Sequence, residues 1–204
     1  LVELIDYWGL CRPVLVAHDI APLFALRAHL LEGLDVAGLV LADAAVIPPF
    51  VSGFSAHVRD HIGVFRGIPT YIAEAMIEAH MATAVHLPMN AASMEAYMRP
   101  WRGEAGVAAH WRAVAAFDEN LAAPVVERLH QLTVPTLVLW GTEDQWVPVW
   151  KADELIQAAP GMDRVLLPDT GHFSPEETPL GFADAVADFL ARNKNQLRLS
   201  QHAQ

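Results

Sequence analysis

Cysteine is nearly absent: the 204-residue chain holds one, Cys11. An internal disulfide is therefore excluded, and a lone thiol is ordinarily a small apolar group rather than a nucleophile. Such sparing use suits a reducing, cytoplasmic compartment. Basic residues are also scarce, with 13 Lys and Arg against 24 Asp and Glu for a formal net charge of −11. Without a basic run, a nucleic-acid or anionic-membrane surface is disfavoured. No uninterrupted apolar stretch approaches the ~18–20 residues that span a bilayer. Neither a starting Met nor a signal-peptide pattern is present. The opening residues Leu1, Leu4, Ile5 and Trp8 instead form a helical stripe, so the chain reads as beginning inside an element. Ten histidines occur, yet no pair stands at metal-ligand spacing beside an acidic third ligand, so neither a metal nor a cofactor is expected. No internal repeat or low-complexity tract interrupts the chain.

What is present is apolar. Hydrophobic residues make up 53% of the chain and the mean hydropathy is +0.26, enough to bury one sizeable core. At the usual ~100–200 residues per domain, this means one domain or a domain with an insertion.

Helical and strand patterns alternate at first: helix 1–9, strand 13–18, helix 21–32, and a second strand over Val36 to Ala42, closed by Asp43. This βαβ rhythm implies a parallel sheet with helices on both faces. The rhythm stops between Val46 and about Leu132. Pro48-Pro49 breaks the chain there, and helical patterns follow near 52–65, 69–82, 91–99, 104–118 and 121–131, punctuated by Pro69, Pro88, Pro100 and Pro124. The segment reads as an all-helical insertion. Alternation resumes with strand 136–140, helix 150–159, strand 164–167 and a last helix from Pro179 to about Arg192. Residues 194–204 are polar and read as a flexible tail.

Three junctions carry chemistry. Strand Pro13-Val14-Leu15-Val16 runs into Ala17-His18-Asp19-Ile20-Ala21, a small-x-acid-x-small turn that presents Asp19 between strand and helix. Such a turn is too tight for large side chains two residues either side of its tip, and here both are alanine. After the third strand, Trp140-Gly141-Thr142-Glu143-Asp144 presents Asp144. After the fourth, Thr170-Gly171-His172 presents His172. Ligands and catalytic groups in open α/β sheets gather outside the carboxyl ends of strands, so the three converge on one crevice. Asp43, at the end of the second strand, is an alternative triad acid, its structural reading being a strand-end cap. His18 is read as packing beneath the turn. Ser52 and Ser55, the serines near a strand end, have no such turn around them.

In their order of nucleophile, acid and histidine, these motifs resemble the cap-bearing α/β-hydrolases, and within them the aspartate-nucleophile branch of epoxide hydrolases and haloalkane dehalogenases. The resemblance covers essentially residues 1–192. It implies an α/β-hydrolase core over 1–45 and 133–193, a helical cap over 46–132 and a tail over 194–204. It also implies that only the last four strands of such a sheet are present, as in a fragment or a truncated product, with the Ile20 amide as the surviving oxyanion donor.

Asp19 would attack an sp³ carbon bearing a halide or epoxide oxygen, because attack on an ester carbonyl gives a reactive anhydride whereas alkylation gives a stable ester. His172 would then activate water, oriented by Asp144 or Asp43. The family places a tryptophan directly after the nucleophile, where Ile20 stands here. Leaving-group contacts are therefore sought elsewhere: Tyr71 and Tyr97, which slightly favour an epoxide, or Trp101, Trp111 and Trp146. Each of these aromatic residues is alternatively plain packing. The expected function is a cofactor-independent hydrolase of a largely apolar small molecule. The alternatives are a non-catalytic hydrolase-fold fragment or ligand binder, and another C–O or ester hydrolase. Homo-oligomerisation through an exposed sheet edge is also expected.

Overall fold

The computed structural model describes residues 1–197. Its elements run α1 (Val2–Tyr7), β1 (Val14–His18), α2 (Ala21–Leu30), β2 (Gly38–Ala42), α3 (Gly53–Asp60), α4 (Ile62–Arg66), α5 (Thr70–Met81), α6 (Ala91–Met98), α7 (Gly103–Ala115) and α8 (Ala123–Val126). They continue with β3 (Thr136–Gly141), α9 (Trp150–Ala158), β4 (Asp163–Leu167), α10 (Ser174–Glu177), α11 (Pro179–Arg192) and α12 (Lys194–Leu197). The expected α/β-hydrolase architecture is present: a four-stranded, all-parallel sheet in the order β1-β2-β3-β4. No helix among the described residues is long and apolar enough to cross a membrane.

The two central strands are apolar without alternation because both of their faces are covered. Leu39 and Leu41 of β2 join Val138 and Trp140 of β3 on one face, packed against Leu23, Leu26 and Leu155 from α2 and α9. Val40, Ala42, Leu137 and Leu139 point the other way, against Phe189 of α11. The four leucines of β2 and β3 are fully buried, each contributing about 1.5–3 kcal/mol of apolar transfer. The Trp140 indole N–H donates to the Val147 carbonyl at 2.9 Å, which removes the cost of burying it. β1 differs. It pairs with β2 alone among the described residues, and Val16 is 51% exposed.

The insertion departs from the sequence pattern in two places. The helix expected over 52–65 is broken at His61, whose φ of −126° and ψ of 29° separate α3 from α4. The stretch expected as one helix over 121–131 forms only α8 between two short 3₁₀ turns, with Pro124 in its first turn. Its Ala122, Val125 and Leu129 pack into the core beside the sheet. Val58, Phe65, Ile77, Met98 and Trp111 instead form a separate apolar cluster among α3 to α7. Of the tail, Lys194–Leu197 forms the helical turn α12, and residues 198–204 lie outside the described residues.

Candidate active site

The turn after β1 closes as its alanines allow. Asp19 adopts φ +59°, a left-handed conformation uncommon outside glycine. It is fixed on both sides, its N–H donating to the Ala42 carbonyl at 3.1 Å and its carbonyl accepting from Ala45 N–H at 2.8 Å. Gly141 and Gly171 let the β3 end meet the histidine loop. A Cβ on Gly141 would lie 2.3 Å from the Gly171 carbonyl oxygen, so no side chain fits there.

These approaches bring Asp19, His172 and Asp144 together. His172 Nδ1 lies 2.8 Å from Asp144 Oδ2, and His172 Nε2 lies 3.3 Å from Asp19 Oδ1. The second contact is an ion-pair distance without good hydrogen-bond alignment, since Nε2 makes no directed hydrogen bond. Asp144 is oriented by its own turn: Oδ1 accepts from the N–H groups of Trp146 at 2.8 Å and Val147 at 2.9 Å, leaving Oδ2 for the imidazole. The side chains of His172 and Asp144 are wholly buried, whereas that of Asp19 is 36% exposed.

Burial opposes a charge on His172, yet its contacts with Asp144 and then Asp19 outweigh it and push its pKa up to about 10. Burial likewise pushes the Asp19 carboxyl up, but His172, His18 and the Ile20 amide together hold it below the ordinary carboxylate value.

Asp43, the alternative triad acid, is fully buried close by and bound elsewhere. Its carboxyl accepts from Gly141 N–H at 2.8 Å and from the Ser174 hydroxyl, and His18 Nε2 lies 3.7 Å away. Burial, its largest influence, raises its pKa to about 7. His18 Nε2 donates to the His172 carbonyl at 2.7 Å, so His18 braces the histidine loop from the elbow side.

Asp19 and Ile20 open onto a cavity of about 260 Å³ roofed by the insertion. Trp101 and Trp146 line it, as do His80, His110 and Phe173. The Trp146 indole N–H is committed to the Thr83 hydroxyl at 3.0 Å, and its ring stacks on His80 at 4.5 Å. Trp101 N–H has no hydrogen-bond partner among the described residues.

The tyrosines expected as leaving-group contacts do not reach the cavity. Tyr71 is 74% exposed, on the outer side of α5. Tyr97 stacks on Phe173 at 5.0 Å, and Phe173, not Tyr97, forms the wall. Trp111 is fully buried in the apolar cluster of α3 to α7, against Phe65. Tyr97 and Trp111 pack against other rings and Tyr71 faces outward, and helical spacing cannot distinguish such positions from a site.

Residues not singled out in the sequence also build the site. Glu177 Oε1 accepts from His86 N–H at 2.7 Å and Leu87 N–H at 3.2 Å, while Oε2 accepts from Gly171 N–H at 2.7 Å. It thereby ties the roof to the histidine loop. Glu119 similarly holds the N–H groups of Phe50 and Val51 where the chain enters the insertion. His80 and His110 carried no local motif, and only the fold makes them wall residues.

A parallel sheet with covered faces and a strand-turn-helix elbow defines the α/β-hydrolase class. The chain belongs to the Alpha/beta hydrolase family, whose profile matches residues 1–185. It is similar to an alpha/beta hydrolase fold protein from Burkholderia ambifaria, at 30% identity and a TM-score of 0.88, over 92% of this chain and 69% of that one. An uncharacterized hydrolase of Bacillus subtilis is 31% identical over 97 residues, which are 48% of this chain and 34% of that protein. A 2-hydroxy-6-oxononadienedioate/2-hydroxy-6-oxononatrienedioate hydrolase of Klebsiella pneumoniae is 34% identical over 65 residues, 32% of this chain and 23% of that protein. The matched stretches thus span about a third or less of these two relatives.

Proposed function

We propose that this hydrolase opens an uncharged alkyl electrophile, an epoxide or alkyl halide, through an ester on Asp19. The observation that carries the reading is an aspartate at the strained tip of the elbow, 3.3 Å from the Nε2 of a histidine whose Nδ1 is held by Asp144.

In the first step an Asp19 oxygen bonds to the sp³ carbon while the carbon–halogen or carbon–oxygen bond breaks and its electron pair leaves with the halide or oxygen. The depressed pKa of Asp19 keeps it in the nucleophilic, ionised form. Trp101 N–H, on the cavity wall and free of protein partners, is the group we assign to the leaving atom. With Tyr71 and Tyr97 outside the cavity, support for an epoxide over a halide is reduced. In the second step His172 takes a proton from water as its oxygen attacks the ester carbonyl of Asp19. The Ile20 amide faces the oxygen that becomes negative. Collapse breaks the bond to the alkyl oxygen, which takes the proton held by His172 and leaves as the alcohol or diol, and the carboxylate is restored.

Esterification also primes the base. Resting His172 keeps a proton between two carboxylates. Once Asp19 is neutral, one of them is gone and the proton affinity of His172 falls; it gives its proton to the opened epoxide oxygen, or to solvent when halide has left, and becomes a base.

A second reading, hydrolysis of an ester or C–C bond, is favoured by the dienedioate hydrolase named among the relatives. Attack by Asp19 on such a carbonyl would give an anhydride, so the two readings part at the intermediate. A His172→Gln variant incubated with styrene oxide or 1-bromobutane is expected to gain the mass of the alkyl adduct on the peptide bearing Asp19. Turnover without an adduct, together with retained activity in Asp19→Asn, would overturn the reading.

A further inference from the structure

We propose that His110 is a neutral hydrogen-bonding subsite in the cavity roof, which takes an uncharged oxygen substituent (hydroxyl, ether or carbonyl) on the substrate whose reactive carbon lies at Asp19. The inference rests on the reading of this cavity as the substrate site. His110, on α7, lines the cavity and is 5% exposed, and its Nε2 is buried with no hydrogen-bond partner. Buried polar groups are ordinarily satisfied, and the His110 imidazole lines the cavity without a hydrogen bond at either ring nitrogen among the described residues, so a polar ligand group can satisfy it. The two serines of the wall, by contrast, satisfy each other. In the Ser52–Ser55 pair, Ser52 Oγ donates to Ser55 Oγ at 3.0 Å and accepts from Ser55 N–H at 3.1 Å.

The ring is held in place. Trp101 and Trp111 meet it edge-on, each with centroids 5.1 Å away, so reorientation to find another partner is hindered. Burial, then His80, lowers its pKa to about 4, so at neutral pH the imidazole is uncharged, donating at one nitrogen and accepting at the other.

The remaining wall sets the rest of the substrate class. Phe50, Met81, Val114 and Phe117 supply an apolar surface, and no Lys or Arg lines the cavity among the described residues. A substrate carboxylate would therefore lose its hydration to a wall with no cation, and would face Asp19. A hydroxyl or carbonyl costs far less to desolvate and recovers its hydrogen bond at the His110 ring.

Toluene and benzyl alcohol share a ring and differ by one hydroxyl, so binding of each to the full chain, followed by NMR titration, isolates the contact. In His110→Phe, which keeps an aromatic ring and removes the nitrogen, benzyl alcohol is expected to bind about five- to tenfold more weakly while toluene is unchanged. Retained toluene binding also shows that the variant is folded. In the unsubstituted protein, an ¹⁵N resonance of the His110 ring should move with benzyl alcohol and not with toluene. Equal weakening of both probes, no weakening of either, or an unmoved resonance would overturn the inference. Neither measurement needs turnover. Loss of the aspartyl-ester reading would therefore leave this discrimination intact, and loss of the discrimination would leave the ester.

Discussion

A histidine between two carboxylates keeps its proton until one of them is neutralised, and His172 lies between Asp144 and Asp19. The two steps of the proposed aspartyl-ester scheme should therefore respond differently to pH. Alkylation needs only ionised Asp19, whose pKa lies below the ordinary value, and its rate is expected to stay flat as pH falls through neutrality. Hydrolysis of the ester needs neutral His172 and should slow over the same range. Stopped-flow tryptophan fluorescence can separate the steps, because Trp101 and Trp146 line the cavity. A shared pH dependence would refute the scheme. Asp144→Asn should let the ester accumulate, slowing its hydrolysis by roughly 10⁴. Asp43 acts on stability. Its pKa is raised from 3.8 to about 7, so its contribution is full below the lower value and is lost as pH rises through the higher one. Asp43→Asn should flatten this decline, which melting temperatures from pH 4 to 8 would reveal. At this scale the sequence pointed to Asp19, Asp144 and His172, because each follows a strand in a turn with its own small or glycine residues, and the structure brings the three together. His110, Glu177 and Glu119 were hidden, because their partners lie far away along the chain.

The elements owe their legibility to periodicity. β2 and β3 are uninterrupted apolar runs because both faces are buried, and such runs are visible in any register. The insertion was readable as helical from its proline punctuation, but not in its packing. Ala122, Val125 and Leu129 face the sheet core, whereas Val58, Ile77 and Trp111 face one another. Both sets are apolar at helical spacing, so composition could not separate them. The short α10 directly after His172 was not anticipated, since four residues make no period. It nevertheless places Glu177, through which the insertion and the histidine loop are joined. Removing this carboxylate in Glu177→Ala leaves three N–H groups without their partner. The expected cost is about 2–3 kcal/mol, or roughly 4–10 °C in melting temperature. A greater loss of kcat for Glu177→Ala than for Glu177→Gln would show that the tie also positions His172. An unchanged melting temperature would show that it is dispensable.

For the whole molecule, two long-range tendencies oppose each other at the sheet edge. β1 offers the N–H and C=O groups of the side left unpaired among the described residues, with Val16 51% exposed and a groove beside it lined by Leu1, Leu4, Leu15 and Phe24. An open apolar edge of this kind is a template for another strand, and a second copy of the chain carries one. Against this stands the net charge of −11, which makes copies repel one another. Repulsion between exposed charges is screened over about 8 Å at physiological ionic strength, while apolar burial is not. Self-association of the 204-residue chain is therefore expected to increase from low to moderate salt, the opposite of an ion-paired interface. Sedimentation velocity over a range of concentrations at 20 mM and 300 mM salt would measure it. Val16→Lys places a charge on the exposed edge and should return the chain to monomer at both salt levels with its melting temperature little changed. A monomer throughout, or association that weakens as salt is added, would show that this edge does not pair.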